Sequence, residues 1–193
     1  MIRIVDYGVG NTQAFLTLFK QLGIPAARAN TISELRDASK LILPGVGHFD
    51  HAMGRFNNSG LRPELERLVL VDSVPILGVC VGMQMLADSS DEGDLQGLGW
   101  IPGRVKSLGS NLKNVELPMP HMGWNTLKPE VGANLFKTGF ENPPQFYFLH
   151  SYYFEASDKN DVAASAFYGI NFDAVVSRNH IHGVQFHPEK SDK

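Results

Sequence analysis

A single cysteine lies in a glycine-flanked segment that could place a nucleophile at a strand-to-helix turn. The segment is Gly78-Val79-Cys80-Val81-Gly82-Met83-Gln84; it follows an apolar run and opens a predicted helix. Such a turn needs small neighbours, because side chains at the two glycine positions would collide with flanking backbone. A helix N-terminus also favours the thiolate form of cysteine. The pattern predicts that Cys80 is a nucleophile; an inert buried cysteine is the alternative.

A second motif supplies the base that a thiol nucleophile requires. His187-Pro188-Glu189 follows the apolar run Val184-Gln185-Phe186, so we expect His187 at the end of a strand. Glu189 is close enough in sequence to orient the imidazole ring, as the third member of a Cys-His-carboxylate triad does. The chain has 7 histidines, so one of them near a strand end means little alone. The prediction depends on its combination with Cys80.

A third segment could stabilise the negative charge that develops during attack on an amide. Pro44-Gly45-Val46-Gly47 follows the apolar run Leu41–Leu43, and its glycines would allow backbone N–H groups to point into a cleft. We predict an oxyanion hole with one donor from Val46 or Gly47 and another from Val81. The sequence does not decide which amide is used, and an ordinary turn is the alternative.

The elements that must position these residues alternate along the first half of the chain. Strands are predicted over residues 2–5, 41–43 and 74–79. Asn11 is a suitable helix N-cap, and a helix with apolar residues at helical spacing should follow it and end near Gly23. A second helix is predicted around Leu61, Leu65 and Leu68. This alternation predicts an α/β fold with a doubly wound, mostly parallel sheet flanked by helices.

The second half of the chain has a different texture. From about residue 100 it contains shorter β-type runs and more turn residues. Candidate strands are residues 145–149, 162–166, 174–177 and 181–186. We expect β-hairpin additions at one edge of the sheet. No linker or internal repeat divides the chain, so we expect a single domain over residues 1–193.

Composition excludes several classes of function. The 193 residues are 43% hydrophobic and carry a formal net charge of -3, without a basic run for nucleic acid. No run of about 18 apolar residues suggests a membrane span, and the N-terminus is unlike a signal peptide. We therefore expect a cytoplasmic protein that binds no nucleic acid and no membrane. We also expect no cofactor and no metal, since the histidines at 48, 51, 180, 182 and 187 lack carboxylate or cysteine companions at matching positions.

Together, these motifs resemble the class I glutamine amidotransferases from Met1 to Ser191. The resemblance implies a flavodoxin-like fold in which Cys80 attacks the side-chain amide of L-glutamine. His187 would protonate the departing ammonia, and water would hydrolyse the thioester to glutamate. Gln84, Ser151 and Tyr152 would hold the amino-acid end of the substrate.

Two further segments resemble one branch of that class, the glutaminase subunits of imidazole glycerol phosphate synthases. They are residues 120–125, Pro-His-Met-Gly-Trp-Asn, and residues 147–152, Tyr-Phe-Leu-His-Ser-Tyr. The resemblance implies a heterodimer with a (β/α)8 cyclase subunit, which uses the ammonia to make imidazole glycerol phosphate and AICAR in histidine biosynthesis. His121, Trp124 and Asn125 would face the partner at the ammonia exit. The oxyanion loop would form fully only when the partner is occupied.

Several alternatives stay open at this point. Similar subunits supply ammonia for an acetamidino group on sugars of bacterial surface polysaccharides, and the triad does not separate the two pathways. A cysteine peptidase would use the same triad on a larger amide, although Gln84 and Trp124-Asn125 argue against it. A non-catalytic scaffold would be expected to lack the nucleophile or the base. The family usually continues beyond Lys193 through a further helix, which we expect to be missing here.

Overall fold

The computed structural model describes residues 1–112, 117–139 and 143–191. Its strands are β1 (Ile2–Val5), β2 (Ala26–Ala29), β3 (Lys40–Gly45), β4 (Ile76–Cys80), β5 (Ser89–Ser90), β6 (Gly103–Ser107), β7 (His121–Thr126), β8 (Lys128–Pro129), β9 (Gln145–His150), β10 (Tyr152–Ala156), β11 (Val162–Tyr168), β12 (Ile170–Arg178) and β13 (Ile181–Val184). Its helices are α1 (Thr12–Gln21), α2 (Ile32–Leu35), α3 (Phe49–Asn58), α4 (Arg62–Glu66), α5 (Val81–Gln84) and α6 (Leu108–Asn111). A π-helical turn, Arg67–Val71, continues α4, and short 3-10 turns cover Asn134–Phe136, Lys159–Asp161 and Pro188–Lys190.

The main sheet confirms the predicted α/β fold. Its strand order is β2-β1-β3-β4-β13-β12-β10-β6-β5, and the strands from β2 to β13 are parallel. β12 runs antiparallel to β13 and to β10, and the β11/β12 and β12/β13 hairpins are the expected additions. β3 is buried on both faces over most of its length, as helix-covered parallel strands are.

Local sequence explains how α1 begins and ends. The Asn11 side chain caps the helix by accepting from the N–H of Ala14 at 3.1 Å. Gly23 follows the C-cap Leu22 with a φ of +68°, the left-handed conformation that glycine adopts without strain. Phe15 is buried on the sheet, whereas Leu22 is exposed because it lies past the last helical turn.

The elbow after β4 depends on two glycines that approach other backbone closely. α5 starts at Val81 immediately after β4, and Cys80 between them has a φ of +55°. A Cβ at Gly82 would overlap the carbonyl oxygen of Leu43 on β3, and one at Gly78 would lie 2.5 Å from the carbonyl oxygen of Gly82. The collision predicted for these two positions is confirmed.

The strand predicted at 145–149 is present but does not extend the main sheet. β9 pairs with β7 in a separate antiparallel ribbon, and Trp124 lies opposite Tyr147. The ribbon contacts the segment that follows β13: the N–H of His187 donates to the Tyr147 carbonyl at 2.9 Å, and the Phe146 ring stacks on Phe186. The ribbon therefore lies against the ends of the strands that carry the predicted triad.

None of the helices in the described residues is both long enough and apolar enough to cross a bilayer.

We expect Gly82→Ala to lower the free energy of unfolding by about 3 kcal/mol, because its methyl group would force the elbow away from Leu43. The matched control is Gly54→Ala in the interior of α3, where the new methyl group would meet only the Leu95 side chain at 4.0 Å. That substitution should raise stability by about 0.5–1 kcal/mol, since alanine favours the helix. Urea unfolding measures both, and equal stability of Gly82→Ala and the unchanged chain would contradict the argument.

Candidate active site

Cys80 is buried at the carboxyl end of β4, with polar groups around its sulfur. Its Sγ lies 3.9 Å from the carbonyl oxygen of Leu149 on β9, and the Gln185 side chain donates to the sulfur at 3.8 Å. α5 has only the four residues Val81–Gln84 after this position. The helix macrodipole at the thiol is therefore smaller than a long helix would provide. Side-chain partners must therefore contribute more than the helix to stabilising a thiolate at Cys80.

His187 and Glu189 form the hydrogen-bonded pair that the sequence predicted. The Nδ1 atom of His187 lies 2.8 Å from Oε1 of Glu189, and both side chains are almost completely buried. His187 directly precedes the 3-10 turn Pro188–Lys190, and this turn brings Glu189 back to the ring. The Ser191 hydroxyl donates to the His187 carbonyl at 2.6 Å and accepts from the N–H of Tyr147. The end of β13 is thereby fixed to the ribbon.

The electrostatic balance at His187 favours the protonated ring. Burial lowers its pKa, but hydrogen bonds to Cys80 and Glu189, together with their negative charges, outweigh burial and raise the pKa to about 9. With one nitrogen bonded to Glu189, the ring has its other nitrogen available for Cys80. A cationic imidazole between a thiolate and a carboxylate can deliver its proton to a leaving amine.

A cleft of about 210 Å³ opens in front of the sulfur. Of the predicted residues, six line it: Gly47, Cys80, Val81, Gln84, Ser151 and Tyr152. Gly45 lies behind this wall, pairing with Cys80 across the sheet, and its Cα packs against the backbone of Gly82. Val46 is not among the lining residues, and its side chain is 42% exposed. The predicted oxyanion loop thus contributes Gly47 to the cleft.

Gln84 braces the cleft from within the fold. Its side chain is buried, and its Nε2 atom donates to the Tyr152 carbonyl at 3.1 Å and to Oε1 of Gln185 at 3.0 Å. Since Gln185 contacts the Cys80 sulfur, a continuous polar chain joins the nucleophile to the Tyr152 backbone. Gln84 therefore shapes the cleft through Tyr152, the residue that the sequence paired with it.

The predicted partner-facing residues lie on two different faces of the ribbon. Met122 and Trp124 alternate onto the outer face, where they are 65% and 39% exposed. His121 is buried on the inner face, with its ring 4.1 Å from that of Tyr168, and Asn125 is half-buried on the same side. Strand alternation turns the His121 side chain inward, so it does not contribute to the exposed face of the ribbon, and its role at a partner interface stays a prediction.

Three of the histidines considered as metal ligands make hydrogen bonds within the fold. His48 accepts from the N–H of Asp50 at the start of α3, His180 donates to the Val69 carbonyl, and His182 bonds to Ser177. Across the described ranges, no group of three or more His, Cys, Asp or Glu side chains is arranged to hold a metal ion.

Comparison with known proteins decides the family. The family model described as glutamine amidotransferase class-I matches residues 3–193. The chain belongs to this family. It is 57% identical over 192 residues to "Imidazole glycerol phosphate synthase subunit HisH" of Bdellovibrio bacteriovorus, covering 99% of this chain and 93% of that protein. It is 48% identical over 191 residues to the protein of the same name from Leptospira interrogans, with the same coverage.

Solved structures agree on the fold. A crystal structure of a glutamine amidotransferase superposes with a TM-score of 0.74 at 20% identity, covering 97% of this chain and 90% of that one. A glutamine amidotransferase from Thermotoga maritima gives a TM-score of 0.65 at 16% identity, covering 97% and 75%. At these identities the likeness concerns the fold alone.

Four residues of this amidotransferase site escaped the sequence analysis. Glu92 lines the cleft and accepts from the N–H of Phe49 at 2.8 Å, which fixes the start of α3 just after the oxyanion loop. Tyr7 is buried and donates to the Pro44 carbonyl at 2.7 Å. His150 lines the cleft, and Gln185 contacts the sulfur. The sequence did carry a signal for Gln185, which is a polar residue within an apolar run just before His187. Glu92 lies in an acidic stretch that contains no recognisable motif.

We expect the stability contributed by His187 to disappear at alkaline pH. Its pKa in the folded chain is raised above the ordinary value of 6.5 to about 9, so the folded state holds the proton more tightly than the unfolded state does. The contribution is fully present below the unfolded pKa and is lost as the pH rises through about 9. The free energy of unfolding in urea should therefore differ more between the unchanged chain and His187→Gln at about pH 6 than at about pH 9.5.

His182→Gln is the control for this pH series. Burial and the charge of His180 lower the pKa of His182, so its contribution changes with pH in the opposite direction. A His187 difference that stays constant or grows on going to alkaline pH would show that the ring is neutral in the folded protein.

Proposed function

We propose that this amidotransferase is the glutamine-hydrolysing subunit of an imidazole glycerol phosphate synthase. The observation that carries the proposal is the buried arrangement of Cys80, His187 and Glu189, in which Cys80 lines a small polar cleft and the His187–Glu189 pair lies behind it. The names of the relatives at 57% and 48% identity support the choice of pathway. The ammonia released would serve the partner's synthesis of imidazole glycerol phosphate and AICAR in histidine biosynthesis.

The geometry supports a two-stage mechanism. The Cys80 thiolate attacks the side-chain carbonyl carbon of glutamine, and the carbonyl oxygen becomes an oxyanion. Protonated His187 gives its proton to the departing nitrogen, so the C–N bond breaks and ammonia leaves. The γ-glutamyl thioester that remains is attacked by water, whose proton returns to His187 as the C–S bond breaks. Glutamate is released and the imidazolium–thiolate pair is restored.

The cleft has the polarity that an amino acid requires. Gln84, Ser151 and Tyr152 line the cleft, and we propose that they hold the amino-acid end of glutamine. The carboxylate of Glu92 in the same cleft supplies the negative charge that an α-ammonium group requires. The cleft is smaller than the roughly 300 Å³ at which pockets for larger ligands begin, which favours a small amide over the peptide substrate of a cysteine peptidase.

The oxyanion hole is proposed to use Gly45, Val46 and Gly47 together with Val81. The N–H of Val81, next to the nucleophile, is fixed at the start of α5. The Val46 side chain is exposed to solvent, and Gly47 has a φ of +81° with open space around its Cα. This part of the loop therefore has room to change conformation, which supports control of the hole by a bound partner.

The proposed partner is a (β/α)8 cyclase subunit in a heterodimer. Exposed apolar side chains on the outer face of the ribbon, Met122 and Trp124, suit a protein interface. The Trp124 ring packs edge-on against Tyr147, whose carbonyl accepts from the N–H of His187. A partner on this face would contact a segment bonded directly to the triad.

Two further parts of the proposal concern the chain as a whole. We propose that residues 1–193 form one domain, because the buried apolar side chains of both halves belong to one continuous core cluster. A cytoplasmic location is proposed because Cys80 is a free cysteine, and thiols are kept reduced in the cytosol. Supply of ammonia to a polysaccharide pathway, considered from sequence, is not favoured by the names of the relatives.

We expect Cys80→Ser to abolish glutamine-dependent product formation by the complex and to leave the partner's reaction with added ammonium salt unchanged. Only the ammonia source is removed, because the Cys80 sulfur forms the thioester and a serine hydroxyl is a poor nucleophile at this position. Product formation with glutamine and with ammonium is measured separately on the same complex. Loss of both activities would instead assign Cys80 a structural role.

We expect glutamate release by the isolated chain to be slow and to rise by about 100-fold when the cyclase partner and its nucleotide ligand are added, the size of effect that one oxyanion donor contributes. Measuring glutamate release with the partner alone, and then with partner and ligand together, separates the effect of docking from the effect of ligand binding to the partner. Full activity of the chain alone would contradict control of the hole by the partner.

A further inference from the structure

Two buried histidines form a hydrogen-bonded chain between the ribbon and the cleft. Asn125 Nδ2 lies 3.2 Å from Nε2 of His121, and Nδ1 of His121 lies 2.8 Å from Nε2 of His150. Nδ1 of His150 lies 2.9 Å from the carbonyl oxygen of Tyr152. Each ring nitrogen of both histidines therefore has a polar partner at bonding distance.

Donor and acceptor chemistry gives this chain one direction. A carbonyl oxygen can only accept, so Nδ1 of His150 carries a hydrogen and its Nε2 is free to accept. His121 then donates from Nδ1 to His150, and its own Nε2 accepts from the Asn125 amide. The amide orientation of Asn125 agrees, because Nδ2 also donates to the Phe167 carbonyl at 2.9 Å and Oδ1 accepts from the N–H of Thr126. Both rings must be neutral and protonated on Nδ1.

Burial favours the same protonation state. Desolvation lowers the pKa of His121 to about 4, and desolvation together with the charge of His121 lowers that of His150 to about 3. A proton added to either ring would replace an acceptor by a second donor facing an N–H. All hydrogen bonds of the chain are thus made in a single arrangement of hydrogens. A buried polar network that is fully satisfied in this way holds its groups rigidly.

The inner end of the chain is part of the cleft. The Tyr152 carbonyl accepts from both His150 and Gln84, and two donors fix the direction of this peptide group. His150, Ser151 and Tyr152 are consecutive lining residues, so the orientation of the whole segment depends on this carbonyl. The outer end is bonded through Asn125 to Phe167, at the tip of the β11/β12 hairpin.

We propose that His121 and His150 are positioning residues for glutamine, which hold the Ser151–Tyr152 wall of the cleft through the Tyr152 carbonyl. The inference rests on the proposed function, because it assigns a role in binding that substrate. Neither residue transfers a proton in the reaction. Their removal should weaken substrate binding and leave the reactivity of the triad in place.

The first test needs no substitution. Nitrogen-15 NMR of the histidine rings in the full chain at neutral pH should show both His121 and His150 as neutral Nδ1–H tautomers, the minor form of a free imidazole side chain. Single His→Gln variants at these positions assign the signals. A cationic ring, or an Nε2–H tautomer at either position, would contradict the hydrogen-bond directions on which the inference depends and would overturn it.

The second test compares two substitutions of His121. His121→Leu removes the donor to His150, whereas His121→Asn keeps an N–H close to the place of Nδ1. In complex with the cyclase partner, His121→Leu should raise KM for glutamine about tenfold and change kcat less than about twofold, as expected for one lost buried hydrogen bond. His121→Asn should restore KM to within about threefold of the unchanged chain.

Phe172→Leu is the matched packing control. The Phe172 ring contacts both histidine rings, with centroids 5.8 and 5.1 Å away, and carries no polar atom. Phe172→Leu should lower the melting temperature without raising KM for glutamine. A KM increase equal to that of His121→Leu, an unchanged KM in His121→Leu, or no rescue by asparagine would each overturn the positioning role.

Alkylation of Cys80 separates this inference from the proposed function. Cys80 is the sole cysteine, so iodoacetamide labelling reports its reactivity directly by mass spectrometry. His121→Leu should be labelled at the rate of the unchanged chain but need about ten times more glutamine for protection. Absence of glutamine protection in the unchanged chain, alone and with the partner, would overturn the proposed function and this inference with it.

Discussion

The close packing of α5 on the end of β3 is the contact on which the rest of the site depends. Gly82 lies so close to the Leu43 carbonyl that any side chain there would overlap it, and Gly78 approaches the same turn from β4. With no loop between β4 and α5, Cys80 must take up the change of direction with a positive φ. Such a conformation is costly for a residue with a side chain and persists because the surrounding backbone leaves no other path.

The ribbon of β7 and β9 completes what the sheet alone could not provide. A parallel sheet places Cys80 and His187 at neighbouring strand ends, since β4 and β13 are adjacent. It does not supply a wall in front of them. β9 does so with main-chain groups, because the Leu149 carbonyl lies near the sulfur and the Tyr147 carbonyl accepts from His187. The outer face of the same ribbon carries Trp124, so substrate wall and proposed partner surface share one piece of structure.

Sequence patterns predicted those parts of the molecule that follow from local rules. The glycines around Cys80, the Asn11 cap and the parallel alternation of strands and helices all follow from short-range sterics or periodicity, and the structure has them. The position of β9 could not be predicted, because pairing with β7 rather than with the sheet edge is a long-range choice between similar strands. The direction of the His121 side chain likewise depends on long-range pairing, because the register of β7 against β9 turns it inward and no local motif specifies that register.

The two halves of the proposed oxyanion hole differ in how firmly they are held. On the side of the nucleophile, Val81 belongs to the elbow, where glycine contacts leave no free space. On the other side, Gly45 is fixed, since a Cβ there would overlap the backbone of Gly82, and Tyr7 holds the Pro44 carbonyl. Beyond Gly45 this restraint ends: Val46 is exposed, and Gly47 has open space around it until Glu92 fixes the N–H of Phe49. A short segment between two fixed points can change a peptide orientation at small cost, while the triad stays in place. The part of the proposed hole with room to move is therefore the part that would donate to the developing oxyanion, and control by a partner at this point would change the rate strongly.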